Sequence, residues 1–253
     1  VDLPFSFFLK DFQIIKLDNR DEAMVGENNL CVSENYILVY GSVYELHPCR
    51  LFTKKGEFVT NIGAIGQGPG EYRAVYKAEI DEKHNCIYLM PFANSNAIYV
   101  YDLAGKPLRS IPLHQSVSKA VFKVDADKRE LTVGALPFTG YPFVAWVQDF
   151  EGHLLDSVPA ARHLSVLPDY SNEVMYGANT EVFDLYISTF FELRPDTLYH
   201  YICSESRLKP RFTLNIGDRK RSITTFYELP QAYVGRLMVE EQVGDGMWET
   251  KSP

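Results

Sequence analysis

"LFTKKGEFVTNI", residues 51–62, reads as two short apolar strands on either side of a Lys-Lys-Gly turn. The same shape returns twice, as "VYDLAGKPLRSI" at 100–111 and "VQDFEGHLLDSV" at 147–158. The three glycines, Gly56, Gly105 and Gly152, are 49 and then 47 residues apart. Apolar residues hold register around them. Leu51, Val100 and Val147 stand five before; Val59, Leu108 and Leu155 stand three after; Ile62, Ile111 and Val158 stand six after. Three positions kept over three copies define an internal repeat.

Each copy predicts a β-hairpin, with glycine supplying the φ > 0 that a type I turn with a G1 bulge requires. Another strand candidate precedes each one: "NYILVYG", "NCIYLMPF" and "ELTVGALPF". About 48 residues after Gly152, "VFDLYISTFFEL" and "DTLYHYICSESRLKPRFTLNI" offer strand, strand, turn, strand again, now without the glycine. A period of 40 to 50 residues with about four strands per unit predicts an all-β fold of β-propeller blades. A hairpin solenoid would repeat faster, and a sandwich would not keep the register. The expectation is one β-propeller domain over 1–253, with blade-like units near 31–62, 78–113, 120–158 and 180–217 and a partial unit over 218–253. The one helical expectation is "ELPQAYVGRLMV", where Leu229, Tyr233 and Leu237 recur every four residues.

The composition is that of an ordinary globular chain: 253 residues, 46% hydrophobic and 23% charged. A net charge of −8 argues against a nucleic-acid partner, which would call for a basic stripe. The dense basic cluster Arg219-Lys220-Arg221 reads as a solvated turn. No apolar run approaches the roughly 18 residues of a membrane span. The start, "VDLPFSFFLK", lacks a basic n-region and a cleavage site, and fits a terminus left after a signal peptide is removed. Cys31, Cys49, Cys86 and Cys203 are scattered without C-x-x-C, so zinc is not indicated and the redox compartment stays open.

Two stretches are candidates for ligand contact. The first is "GAIGQGPGEY", 63–72. A phosphate-cradling Walker loop would place Lys and then Ser or Thr after the second glycine, where Pro69 and Gly70 stand. A dinucleotide fingerprint would need glycine at Glu71, and Pro69 removes a backbone donor. Gly63, Gly66, Gly68, Pro69 and Gly70 therefore read as a structural connection between blades, ending in Tyr72 as an aromatic plug. Gln67, Glu71 and Tyr72 are its candidate ligand contacts. The second stretch is "PFTGYPFVAW", 137–146, whose loop would present Phe138, Tyr141 and Phe143 as a stacking platform for a sugar ring, or else pack them between sheets.

Catalytic patterns are lacking. The six histidines (His47, His84, His114, His153, His163 and His200) form no H-E-x-x-H, and G-x-S-x-G does not occur. The carboxylate pairs Asp125/Asp127 and Glu240/Glu241 read as solvated, and no calcium-loop pattern is present. No catalytic residue, metal ligand or cofactor is expected.

The segment "IGAIGQGPGEY" after an early hairpin resembles the six-bladed β-propeller family of exported Bacteroidetes proteins, relatives in architecture of NHL-repeat and TolB-like propellers. "DTLY" at Asp196–Tyr199, "PRFTLNIG" at Pro210–Gly217 and "WET" at Trp248–Thr250 are similar to later elements of that family, in the same order. The resemblance implies export, often with a lipid anchor, and it supplies no catalytic residues. Six blades of about 48 residues need roughly 290 residues, so four recognisable copies and a partial unit suggest an incomplete six-bladed propeller. A five-bladed ring is the alternative. An incomplete ring would be an open or distorted arc, loosely packed after about Asp218, with sheet edges exposed for self-association. "FQIIKLD", 12–18, would be the strand that completes the last blade of a closed ring.

The functional expectation is a non-enzymatic β-propeller that binds a small molecule, glycan or protein. The alternative is a lactonase- or lyase-like propeller enzyme with a metal in its central channel. That enzyme would need Asp, Glu, Asn or His recurring at the inner-strand starts of several blades, and no such set recurs.

Overall fold

The computed structural model describes every residue except 1–3, 8–9, 27–28, 42–46, 163, 176–182, 190–193, 215–221, 230–231, 245–246 and 252–253. His163, the Arg219–Arg221 cluster and the end of "PRFTLNIG" lie outside the described residues, as do the side chains of Glu240, Glu241 and the "WET" element. The described chain is all-β, with three short 3-10 turns and no α-helix.

Four sheets are four-stranded antiparallel meanders whose strands lie side by side in chain order, which is the construction of a propeller blade. The first contains β1 (Asn29–Val32), β2 (Tyr36–Tyr40), β3 (Cys49–Thr53) and β4 (Phe58–Ile62). Two short parallel strands follow, β5 (Ala64–Ile65) and β6 (Glu71–Tyr72). The second sheet is β7 (Val75–Asp81), β8 (Cys86–Pro91), β9 (Ser95–Asp102) and β10 (Ile111–Val117). The third is β11 (Ala120–Asp125), β12 (Glu130–Ala135), β13 (Phe143–Asp149) and β14 (Leu154–Pro159). The fourth is β15 (Glu173–Met175), β16 (Phe183–Ser188), β17 (Asp196–Ile202) and β18 (Arg207–Leu214). A three-stranded sheet closes the chain: β19 (Ser222–Leu229), β20 (Ala232–Gly244) and β21 (Met247–Lys251). The chain divides into two compact units. One comprises Val1–Ala74, Ile80–Tyr88 and Tyr101–Leu108; the other comprises Val75–Glu79, Leu89–Val100 and Arg109–Pro253.

The repeated glycines meet two demands at once. Their φ angles are +89° at Gly56, +83° at Gly105 and +87° at Gly152, the left-handed region that side chains avoid. A Cβ at Gly56 would also lie 2.0 Å from the Lys16 carbonyl oxygen, and one at Gly105 would lie 2.3 Å from that of Asn61. At Gly152 the matching approach, to the Pro112 carbonyl, is a looser 3.3 Å. Each turn thus rests on backbone that precedes its own sheet. Three residues before each glycine, a side chain fixes the turn from inside. Asp102 Oδ1 accepts the Ala104 and Lys106 N–H groups, and Asp149 Oδ1 accepts those of Glu151 and His153. Thr53 Oγ1 does the same for Lys55 and Glu57. Such side-chain turns favour Asp and Thr for this reason.

In the second unit, the third and fourth sheets bury Val121, Ala145, Val158, Val174, Phe183 and Leu185 in one cluster. Gly134 admits Leu185, since a Cβ there would be 2.5 Å from its Cδ1. Two buried glutamines tie β10 to β13. Gln148 Oε1 accepts the His114 N–H and the Trp146 indole N–H, while its Nε2 donates to the Pro112 carbonyl. Gln115 brackets Phe143, accepting its N–H and donating to its C=O. Buried amides persist only when satisfied in this way, and these are.

Two expectations need correction. "FQIIKLD" is not a strand. Ile15 and Leu17 instead pack beside Ala23, Ile37 and Phe52, and the Asp18 N–H bonds to the Gly56 carbonyl. The expected helix over 228–239 is β-structure, with β19 and β20 paired from Ser222↔Val239 to Leu229↔Ala232. A spacing of four is two strand periods as well as one helical turn, so Tyr233 and Leu237 are in phase on β20 as they would be on a helix, whereas Leu229 belongs to β19 and pairs with Ala232 across the hairpin. The partner strand decided between them. Of the stretch expected to be loosely packed, most side chains lie outside the described residues; among those described, Phe226 is buried against Tyr186 and Phe212 at ring separations of 5.0 and 5.2 Å.

Candidate functional site

In the first unit the glycine-rich connection closes on itself. β5 and β6 pair in parallel, Gly66 N–H bonds to the Tyr72 carbonyl and Glu71 N–H to the Gly68 carbonyl. The Glu71 carboxylate turns back to accept the Gly68 N–H at 2.8 Å. Tyr72 is the plug the sequence suggested. It is 4% exposed, its hydroxyl donates to the Ile62 carbonyl at 2.5 Å, and it accepts the Cys49 N–H at 2.7 Å. Burial pushes the Tyr72 hydroxyl well above the usual tyrosine range and the Cys49 thiol up to about 12. A Cβ at Gly63 would meet the Tyr101 ring at 2.8 Å, and one at Gly70 would meet Pro107 at 3.0 Å. Pro69 and Gln67 sit at the exposed tip of this turn. Of the loop's three candidate ligand contacts, Tyr72 is occupied internally, Glu71 is committed to the loop's own backbone, and Gln67 alone faces outward.

The aromatic candidates lie in the second unit. The β12–β13 connection folds down where the Phe138 N–H meets the Leu136 carbonyl and the Tyr141 N–H meets that of Phe138. Phe138 is 5% exposed and forms a parallel bridge with Val166. Its ring packs against Tyr141 at 5.9 Å and edge-on against Tyr170 at 5.6 Å. Phe143 stands apart from this group, its ring beside His114 at 6.0 Å. Tyr170 continues to Phe92 at 5.7 Å, and Phe92 to Tyr76 at 6.4 Å. The hydroxyls of Tyr170 and Tyr141 meet at Ser118 Oγ, at 3.3 and 3.2 Å. The result is an aromatic surface drawn from three connections and β7, with the Tyr170 residue 47% exposed.

Lys119 lies beneath this surface, 3% exposed. Its ammonium donates to the carbonyls of Tyr170 at 2.7 Å and Asn172 at 2.9 Å and to the Glu173 carboxylate. It also stands 5.6 and 5.7 Å from the ring centroids of Tyr76 and Phe92. Tyr76 in turn donates its hydroxyl to Glu173 at 2.6 Å. A buried ammonium requires this degree of pairing, and the aromatic faces add attraction to the cation. Beside it, Ala93 and Asn94 adopt φ of +63° and +51°, a left-handed pair without glycine. Strain of this kind gathers at binding sites. The sequence reading missed Tyr76, Phe92, Lys119, Tyr170 and Glu173, which are up to 97 residues apart in contact. The only local cue was the "PFAN" turn that carries Ala93 and Asn94.

No helix among the described residues is long and apolar enough to cross a membrane. No curated protein matches the chain. Among solved structures, a Bacteroides fragilis protein designated as exported is similar over 96% of this chain and 75% of its own, at 16% identity and a TM-score of 0.60. That likeness is one of fold. BBS1N in complex with ARL6DN (12% identity, 81% and 55% covered, TM-score 0.43) is more distant. So is the dihydro-heme d1 dehydrogenase NirN in complex with DHE (14%, 83% and 52%, 0.35). A family model for a domain of unknown function, DUF4934, matches residues 1–236, and the chain belongs to that family.

Proposed function

We propose that this protein is an exported, non-enzymatic propeller that holds a ligand on the aromatic surface of Tyr141, Tyr170 and Phe92. The observation that carries the reading is Tyr170, a half-exposed ring braced from below by Phe92 and Phe138. A ring held rigid in this way presents a flat apolar face at low entropic cost, with hydroxyls and the Glu173 carboxylate at its rim to orient what binds. A sugar ring, with one C–H face and equatorial hydroxyls, suits that combination. The same reading includes the six-bladed, NHL- and TolB-like arrangement, a lipid anchor, and self-association through sheet edges. It draws export from the resemblance and from the designation of the similar Bacteroides fragilis protein.

The test is calorimetric titration with a panel of soluble hexose and N-acetylhexosamine oligosaccharides. Saturable binding that disappears in Tyr170→Ala, with unchanged circular dichroism, supports the reading. Binding that survives this substitution, or none across the panel, overturns it.

A further inference from the structure

A second concavity lies elsewhere in the same unit, where the third and fourth sheets meet. Within the third sheet, β12 runs from Glu130, beside this concavity, to Ala135, next to the connection that carries Phe138. The concavity is therefore at the other end of the strands from the aromatic surface. It is a cleft of about 500 Å³, within the size range of small-molecule sites. The register explains its floor. Lys123, Thr132, Val147 and Asp156 are consecutive cross-strand partners, so they form one row on one face of the third sheet. The row two residues on begins Asp125↔Glu130. Phe183 and Tyr201 of the fourth sheet face these rows, and Leu155 and Cys203 complete the lining.

The charges in the cleft do not cancel. Lys128 pairs with Asp125 at 2.7 Å and also feels the charge of Glu130. Asp156 is held by two neutral donors, the hydroxyls of Tyr201 and Ser206, which orient its carboxylate without neutralising it. Glu130 is half-buried. Lys123 supplies one positive charge from the far end of the row, three strands away from Asp156. The acids outnumber the lysines, and the middle of the floor between Glu130 and Asp156 is apolar, made of Val147 and Phe183. The Cys203 thiol reports the same sign: it is pushed up, first by burial and then by the charge of Asp156 and Glu130.

We propose that this cleft binds a small organic monocation, with its ammonium between Glu130 and Asp156 and its apolar body against Val147, Leu155 and Phe183. An anion would meet the two carboxylates, and a neutral molecule would leave the one-charge excess of acids over lysines uncompensated on a low-dielectric floor, where charge pairing counts for more than in water. This site is independent of the aromatic surface and stands or falls separately from it.

Three probes of one shape and different charge test it: benzylammonium, benzyl alcohol and benzoate, titrated at low salt by ligand-observed NMR. The amine should bind about five- to tenfold more tightly than the alcohol, with benzoate weakest. Glu130→Gln should weaken the amine about fivefold and leave the alcohol unchanged. Saturating amine should also slow alkylation of Cys203 by a neutral maleimide in a Cys31→Ser, Cys86→Ser background. Leu155→Trp, at a position 54% exposed and hence tolerant of bulk, should narrow the mouth and weaken the amine without unfolding the sheet. Equal affinities for the three probes, amine binding indifferent to Glu130→Gln, unprotected Cys203, or no amine binding at millimolar concentration would each overturn the proposal.

Discussion

The connections at 63–72 and 137–146 are made of similar material, turn-forming residues punctuated by aromatic rings, yet the fold employs them in opposite ways. The first spends its polar groups on itself. Glu71 satisfies the Gly68 N–H, Tyr72 is buried between the Cys49 N–H and the Ile62 carbonyl, and its glycines are fitted against Tyr101 and Pro107. The second collects partners from distant sequence until Tyr170 stands half-exposed over a buried ammonium. A glycine-rich loop can thus be a closed structural part, while an ordinary proline-rich loop supplies the open surface. What separates them is exposure: Tyr72 of the first is buried against the backbone of β3 and β4, whereas Phe138 of the second packs against Tyr170, which stays half-exposed.

The sharpest way to break this comparison is to remove the cation beneath the aromatic surface. Lys119→Met leaves two carbonyls and Glu173 without their donor, and breaking a buried pair of this kind costs about 3 kcal/mol. In a chain of this size that lowers the melting temperature by roughly 6–12 °C. A loss below 2 °C in a thermal scan would mean that the ammonium is not structural. Gly63→Ala comes next. It forces a side chain into φ of +64° and against the Tyr101 ring, for about 2 kcal/mol. Its melting temperature should fall while oligosaccharide binding is unchanged; lost binding with intact stability would make the glycine loop the ligand site after all.

Tyr170→Ala should show the reverse pattern. Truncating a half-exposed ring changes stability by only about 1 kcal/mol, whereas oligosaccharide affinity should vanish. A stability loss as large as that of Lys119→Met would show that the ring is core. The smallest expected effect lies in the hairpin turns outside both regions. The N–H and side chain of His153 hold the Asp149 carboxyl below its ordinary value. A lowered folded pKa contributes stability above about pH 3.9 that is lost as pH falls toward the folded value. Asp149→Asn should therefore lower the melting temperature slightly at pH 7 and hardly at all at pH 3. A difference that grows in acid would contradict the assignment.

Much of the blade construction was legible in the chain because it is local. Gly56, Gly105 and Gly152 announce hairpins since no other residue takes φ near +85° without strain, and short apolar stretches flank each of them. Asp102 and Asp149 stood at the turn positions as readable side-chain acceptors, and their recurrence with Thr53 strengthens the repeat. The span 228–239 was not legible, because a spacing of four fits a helix as well as a strand, and only the pairing of β19 with β20 shows that the span crosses a hairpin. The segment 12–18 has strand-like residues but pairs in no ladder among the described residues, and it lies against the Gly56 turn.

The sequence by itself determined the antiparallel hairpins, because each depends on residues within a dozen positions of one another, and the repeat, because that local pattern recurs 49 and 47 residues on. Tertiary structure alone decided that the Tyr72 hydroxyl sits between the Cys49 N–H and the Ile62 carbonyl, that Gln115 and Gln148 tie β10 to β13, and that Lys119 lies under rings contributed by Tyr76 and Phe92. The physical reason is one of distance along the chain. Backbone strain and strand period act locally, whereas burying an ammonium or an amide depends on carbonyls and carboxylates that the fold brings from elsewhere.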